Sequence, residues 1–248
     1  MNLQDIAGGL LTTKREKKTM APLGVPLSLQ DAYKIQSIHF EAELASGKSP
    51  CGYKMGLTSR AKQIDVNVFE PIRGYLLRDM EIVGPLTPDR FVQPRCEPEV
   101  AVILRSKLKA PLSVRDVIPA LSAIVPAIEV LDSRFENYRF SIAEVVADNC
   151  SAAGFVLGKT NLLSQAKELS LMGVVVKKNG QIVETGVPAA VLGDPLLSVV
   201  SLVQSLTEDG REVEPGQVIL TGGITASVPF SKGDVIEVLW PQETLILK

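Results

Sequence analysis

The sequence predicts an α+β protein in which a small helical N-terminal region precedes mixed, curved β-structure. Three observations predict it. Residues 28–47, SLQDAYKIQSIHFEAELASG, have the spacing of an amphipathic helix, short apolar runs bounded by turn residues dominate from Ile82 onward, and KNGQ joins two of those runs. A chain of 248 residues, 46% hydrophobic and 22% charged, can bury one large core with a small appendage. The expected division is an N-terminal helical region over 1–75 and a β-rich domain over 76–248.

In chain order, the first clear element is the helix. Ser28 is a capping residue, Leu29, Ala32, Ile35 and Ile38 fall on one face, and Gly47 ends it. His39 lies inside this helix without a local partner, which reads as a structural or surface residue. CGYKMGLTS follows as a short strand or turn segment, and VFEPIRGYLLRDM combines a proline turn with another apolar run. CEPEVAVIL, VPAIEVLDS, GVVVKKNGQIVETG, QVILTGG and DVIEVLW read as strands. Asn179-Gly180 suits the positive φ values of a tight hairpin turn. SVRDVIPALSAI and PLLSVVSLVQSLTEDG read as helices, the second opened by Pro195 and closed by Gly210.

Composition narrows the function. A net charge of −2 and a pI near 5.6 offer no basic surface for nucleic acid or an anionic membrane, so small molecules and other proteins are the expected partners. No apolar run approaches the roughly 18 to 20 residues of a membrane span, and MNLQDIAGGLLTTKREKK lacks the order of a secretory signal, so a cytoplasmic location is expected. Cys51, Cys96 and Cys150 are too few and too scattered for a disulfide framework or thiolate site. A single histidine excludes multi-histidine metal sites, so any metal centre must be built from oxygen.

The acids supply such a centre. In a strand, Glu97 and Glu99 project from the same face about 6.5 to 7 Å apart, and repulsion between two like charges in a dry site is relieved by a cation or by a proton. Glu129 stands alone in the apolar run IVPAIEVLDS and also needs a partner. Three carboxylates emerging from strands fit a hard divalent ion, Mg²⁺ or Mn²⁺. The alternative is that Glu97 and Glu99 fringe a sheet edge and pair with Arg95 or lysines.

CGYKMGLTSRAK, RCEPEVAVIL, VPAIEVLDSRFENYRF, VVADNCSAAGFVLG, KNGQIVETGVPAAVLGDPLLSVVSLVQSL and ILTGGITASVPFSKGDVIEV occur in this order from about Ser28 to the C-terminus. Together they resemble the fumarylacetoacetate hydrolase superfamily, in the branch of 2-keto-4-pentenoate hydratases and 4-oxalocrotonate decarboxylases. The resemblance implies a β-rich fold, a Mg²⁺ or Mn²⁺ centre on Glu97, Glu99 and Glu129, and work in the breakdown of aromatic compounds. KMGLTS, DSRFENYRF and TGGITASVP are similar to the decarboxylases, which implies loss of CO₂ from 4-oxalocrotonate. Asp79 and Gly154 are hydratase-like, which keeps hydration of 2-hydroxypenta-2,4-dienoate as the alternative. A weakly active partner of such a hydratase is a third possibility, and hydrolysis would need a His-Glu pair that His39 is poorly placed to supply.

The same resemblance marks Lys54 as an active-site cation, able to bind a carboxylate or move a proton, against a surface lysine. Asp79 is a proton-transfer candidate in the hydratase reading, against a turn or cap role. Ser151 is a candidate hydrogen-bond donor, against a turn hydroxyl. Arg73 or Arg78 could replace a substrate-binding cation missing at Gly154. TGGIT lacks a P-loop lysine, but its backbone N–H groups at Gly223 and the Thr225 hydroxyl could hold a substrate carboxylate. A homo-oligomer, and a complex with a hydratase or decarboxylase partner, are implied by the resemblance alone.

Overall fold

A computed structural model describes residues 2–66, 68–86 and 88–248. The chain begins with α1 (Leu3–Glu16), capped by Asn2 through a reciprocal bond with Asp5, and α2 (Leu29–Ala45), capped by Ser28 as its sequence predicts. β1 (Pro50–Gly56), the short α3 (Arg60–Asp65) and β2 (Ile72–Leu77) follow. Then come β3 (Arg95–Leu104), a single turn α4 (Val114–Val117), β4 (Leu121–Leu131), α5 (Ile142–Ala147) and β5 (Ala152–Leu157). The remainder is β6 (Val174–Lys178), β7 (Gln181–Gly186), α6 (Leu196–Glu208), β8 (Val218–Leu220), β9 (Val228–Pro229), β10 (Ile236–Leu239) and β11 (Thr244–Leu247).

Two sheets carry the fold. The larger runs β2-β1-β8-β3-β4-β5 with β9 beside β3, and the smaller runs β11-β10-β6-β7. All pairings are antiparallel except β1 with β8. Asn179 and Gly180 adopt φ of 53° and 80° between β6 and β7, which is the expected hairpin. One face of the large sheet, with Val100, Val102, Ile128 and Val130, packs on α6 and the small sheet in the main core. On its opposite face lie Ala101, Val125, Ala127, Phe155 and Leu220. A separate cluster joins Ile6 and Leu10 of α1, Ile35 of α2 and Val146 of α5. α1, through Ile6, Ala7 and Leu10, and α6, through Leu196, Val199, Leu202, Val203 and Leu206, thus bury the stripe a helical period dictates.

One expectation changes. SVRDVIPALSAI is helical only to Val117, passes through a 3₁₀ turn at Ile118–Ala120 and enters β4 at Leu121. Pro119 cannot extend the helix, and the apolar run beyond it gains a full ladder along β3. The boundary expected at residues 75 and 76 falls inside β2, whose partner β1 lies next to β8 in the same sheet.

His39 is buried, and its Nε2 lies 2.9 Å from the Ala7 carbonyl oxygen, tying α2 to α1. Burial pushes its pKa down to about 4, so it is a neutral donor in the helical layer. All three cysteines are free and buried. No helix among the described residues is long and apolar enough to cross a membrane.

Candidate metal centre and substrate pocket

The pairing register assembles the acids. Glu97 of β3 stands directly opposite Glu129 of β4, and Glu99 opposite Ala127, so the pleat places all three carboxylates on one face. One carboxylate oxygen from each lies within 4.8 Å of the others. Glu99 and Glu129 are wholly buried, and Glu97 nearly so. Gly222, in the loop after β8, donates its N–H to Glu99 Oε2 at 2.7 Å. The other Glu99 oxygen and both Glu129 oxygens have no hydrogen-bond partner.

Lys54 of β1 reaches this cluster from the same sheet face. Its Nζ lies 3.0 Å from Glu129 Oε2, an ion pair without hydrogen-bond alignment, and donates to the Cys150 carbonyl at 3.4 Å. Burial alone would lower the lysine pKa, but the surrounding negative charge, Glu129 foremost, outweighs it and holds the ammonium above its ordinary value. Burial first, and then mutual repulsion, raises the Glu99 carboxyl well above the carboxylate range and also raises Glu129, against the pull of Lys54. One lysine does not neutralise three acids. Orphaned, buried, hard oxygen donors at this mutual distance fit a divalent cation with oxygen ligands.

Beside the acids is a cavity of about 330 Å³ lined by Lys54, Glu97 and Ser151, and by apolar groups that include Ile72, Leu131, Tyr138, Phe140, Ile142 and Val145. Ser151 arrives through an unusual turn. Asn149, Cys150 and Ser151 all have positive φ, between 50° and 58°, a conformation that costs an L-residue about 1 to 2 kcal/mol each. Asn149 clamps the turn to β2 by accepting from Tyr75 N–H at 2.8 Å and donating to Tyr75 O at 3.0 Å. Gly74 is required there, because a Cβ would lie 2.8 Å from the Asn149 carbonyl oxygen. The result is a buried Ser151 hydroxyl with no protein partner.

Several residues singled out from sequence lie elsewhere. Asp79 follows β2 in a 3₁₀ turn, is half exposed and pairs with Lys48 at 3.2 Å, in a different crevice from the acids. Arg73 precedes Gly74 in β2, so the pleat turns it away from Lys54. Its guanidinium lies 4.3 Å from the Tyr33 ring centroid, bonds Ser205 Oγ at 2.8 Å and pairs with Asp209. Arg78 is exposed outside the pocket. Gly154 pairs with Val130, one residue out of phase with Glu129, and a Cβ there would meet Ile82 at 2.9 Å. A longer side chain at 154 would start on the face opposite the acids, so this glycine leaves no gap in the pocket. The Thr225 hydroxyl donates to the Ala226 carbonyl at 2.9 Å. At Gly223 a Cβ would overlap the Glu97 carboxylate, so the loop closes on the acids rather than on a substrate carboxylate.

Sequence reasoning passed over Lys62, Asn149 and the Arg134–Asp148 pair. Lys62 lies in the quoted segment GLTSRAK but has no pattern of its own, and Asn149 follows an acid in an ordinary helix ending.

Fold and acids together define the class: a fumarylacetoacetate hydrolase-type domain with an oxygen-only centre for a divalent ion, a fold shared with distant structures of that description. No family model matches the chain. It is 39% identical over 215 residues to a 4-oxalocrotonate decarboxylase of Pseudomonas putida, covering 86% of this chain and 81% of the relative. It is 33% identical over 240 residues to a 2-keto-4-pentenoate hydratase of Paraburkholderia xenovorans strain LB400, covering 94% and 89%. The structure of 4-oxalocrotonate decarboxylase from Pseudomonas putida G7, complexed with magnesium and adipate, superposes with a TM-score of 0.94 at 34% identity, covering 99% of this chain and 96% of that one. The chain belongs to the family of 4-oxalocrotonate decarboxylases and 2-keto-4-pentenoate hydratases.

Proposed function

We propose that the chain is a divalent-metal-dependent lyase that converts 4-oxalocrotonate (2-oxohex-3-enedioate) to 2-hydroxypenta-2,4-dienoate and CO₂ in the breakdown of aromatic compounds. The observation that carries this reading is the convergence of Glu97, Glu99 and Glu129, with unpartnered oxygens, beside an apolar cavity. The decarboxylase relatives support it.

Glu97, Glu99 and Glu129 would hold Mg²⁺ or Mn²⁺, which when bound supplies a Lewis acid for the 2-oxo group. In the reaction the C5–C6 bond breaks and C6 leaves as CO₂. The electron pair moves through the conjugated chain to the C2 oxygen, which takes a proton. Lys54, held as an ammonium, places fixed positive charge where negative charge develops. Ser151 Oγ is free to donate a hydrogen bond to the substrate's oxygen-rich end. The apolar wall excludes water and does not stabilise the departing carboxylate.

A second reading, hydration of 2-hydroxypenta-2,4-dienoate, is supported by the hydratase relatives. Its proton-transfer candidate Asp79 is outside the cavity, which favours the first reading. The deciding experiment offers the Mg²⁺-supplemented protein 4-oxalocrotonate in one vessel and fresh 2-hydroxypenta-2,4-dienoate in another. Mass spectrometry then follows CO₂ and 4-hydroxy-2-oxovalerate. CO₂ without the hydrated product supports decarboxylation, and hydration without CO₂ reverses the order. The reading extends to a cytoplasmic homo-oligomer that associates with a hydratase, which size-exclusion chromatography with and without that hydratase checks.

A further inference from the structure

We infer that Lys62 recognises the far carboxylate of a dicarboxylate substrate and so distinguishes six-carbon diacids from monoacids. This rests on the decarboxylase reading above. Among the described residues that line the cavity, Lys54 and Lys62 are the cations. Lys54 is buried and already bound to Glu129 and the Cys150 carbonyl. Lys62 stands at the mouth on α3, with its side chain 57% exposed and its Nζ 3.9 Å from Glu97 Oε1, too long for a hydrogen bond. Arg95, the other cation near this wall, lies over the Tyr138 ring at 4.3 Å and does not line the cavity.

A substrate held by its 2-oxo acid end at the acids must place its remaining chain along Ile72, Phe140, Ile142 and Val145. Those groups offer a carboxylate no hydrogen bond, and an unpaired charge among them is costly. Lys62 can swing on its flexible stem to meet that carboxylate at the mouth. The contact exists only before the reaction. When the C5–C6 bond breaks, the carboxylate becomes neutral CO₂ and its electron pair ends on the C2 oxygen, which takes a proton, so the product has nothing for Lys62 to bind. A contact that fades as the bond breaks holds the substrate more than the transition state, so its loss raises KM while kcat holds or rises.

The test is calorimetric titration of the Mg²⁺-loaded full chain with 2-oxoadipate and with 2-oxohexanoate, a diacid and a monoacid of equal length. The native protein should bind the diacid about two- to fivefold more tightly, the scale of one partly exposed ion pair. Lys62→Gln should remove most of that gap by weakening the diacid alone, and Lys62→Arg should restore it. With 4-oxalocrotonate, Lys62→Gln should raise KM while kcat holds or rises. Equal weakening of both acids, no weakening of either, or a native protein that does not prefer the diacid would overturn the inference. A native protein that binds neither acid in the presence of Mg²⁺ would instead overturn the decarboxylase reading, and the role of Lys62 with it.

Discussion

Two of the clusters of buried charge among the described residues are completed in opposite ways. Arg134 and Asp148 form a closed pair: the Asp148 carboxylate accepts from the Arg134 Nε and from the Arg134 backbone N–H at 3.0 Å, while Arg134 Nη2 donates to the Asp148 carbonyl at 3.1 Å. Neighbouring Asp132 is closed by the backbone N–H groups of Val92 and Gln93 at 3.0 and 2.8 Å. The cluster of Glu97, Glu99, Glu129 and Lys54 is as deep, yet three of its oxygens have no hydrogen bond. Burial is common to both. Unfilled lone pairs separate a site from a structural strut.

The sharpest way to break this comparison is Arg134→Met. It strands the Asp148 carboxylate and should cost about 3 to 5 kcal/mol of stability, read as a fall in the denaturant midpoint. Glu99→Gln applies the same kind of change to the open cluster and should do the reverse. Metal-free stability holds or rises because a repelling charge is gone, while metal-dependent turnover falls about a hundredfold or more. Glu129→Gln should behave alike. Near-normal rates at limiting Mg²⁺ in either variant would refute the metal assignment.

His39 sharpens the contrast as a buried base kept neutral. Its pKa is about 4 in the folded chain against 6.5 for the free side chain, so between those values the unfolded chain binds the extra proton. Stability therefore falls as pH drops through 6.5 towards 4, by about 2 kcal/mol between pH 7.5 and 5. His39→Gln, which keeps a donor for the Ala7 carbonyl, should flatten that part of the pH profile. The smallest effect belongs to Asp79→Asn. The residue is half exposed and paired with Lys48, so decarboxylation should stay within about twofold of native. A loss of tenfold or more would return Asp79 to the catalytic machinery.

Much of this was legible from local pattern. Ser28 and the spacing of Leu29, Ala32 and Ile35 specify α2, Pro195 and Gly210 frame α6, and Asn179-Gly180 specifies its hairpin. The pleat repeats every two residues, so Glu97 and Glu99 share a face whatever the strand pairs with. The motifs from CGYKMGLTS to TGGITASVP place the chain in its family, as the relatives bear out.

Other features depended on contacts between distant residues. Glu129 meets Glu97 only because β3 and β4 pair in one register, and a shift of one residue would send it to the opposite face. Arg73, one residue out of phase with Gly74, was turned away from the acids by the sheet, Asp79 was carried outward by a 3₁₀ turn, and Gly154 was placed on the far face. The strained turn that brings Ser151 to the cavity wall is held by Asn149 across to Tyr75, and Lys62 gains meaning only at the mouth of a cavity built from several other segments. Sequence determined the periods, and with them which residues share a face. The tertiary structure decided which face meets which, because pairing register and packing are set by residues tens of positions apart.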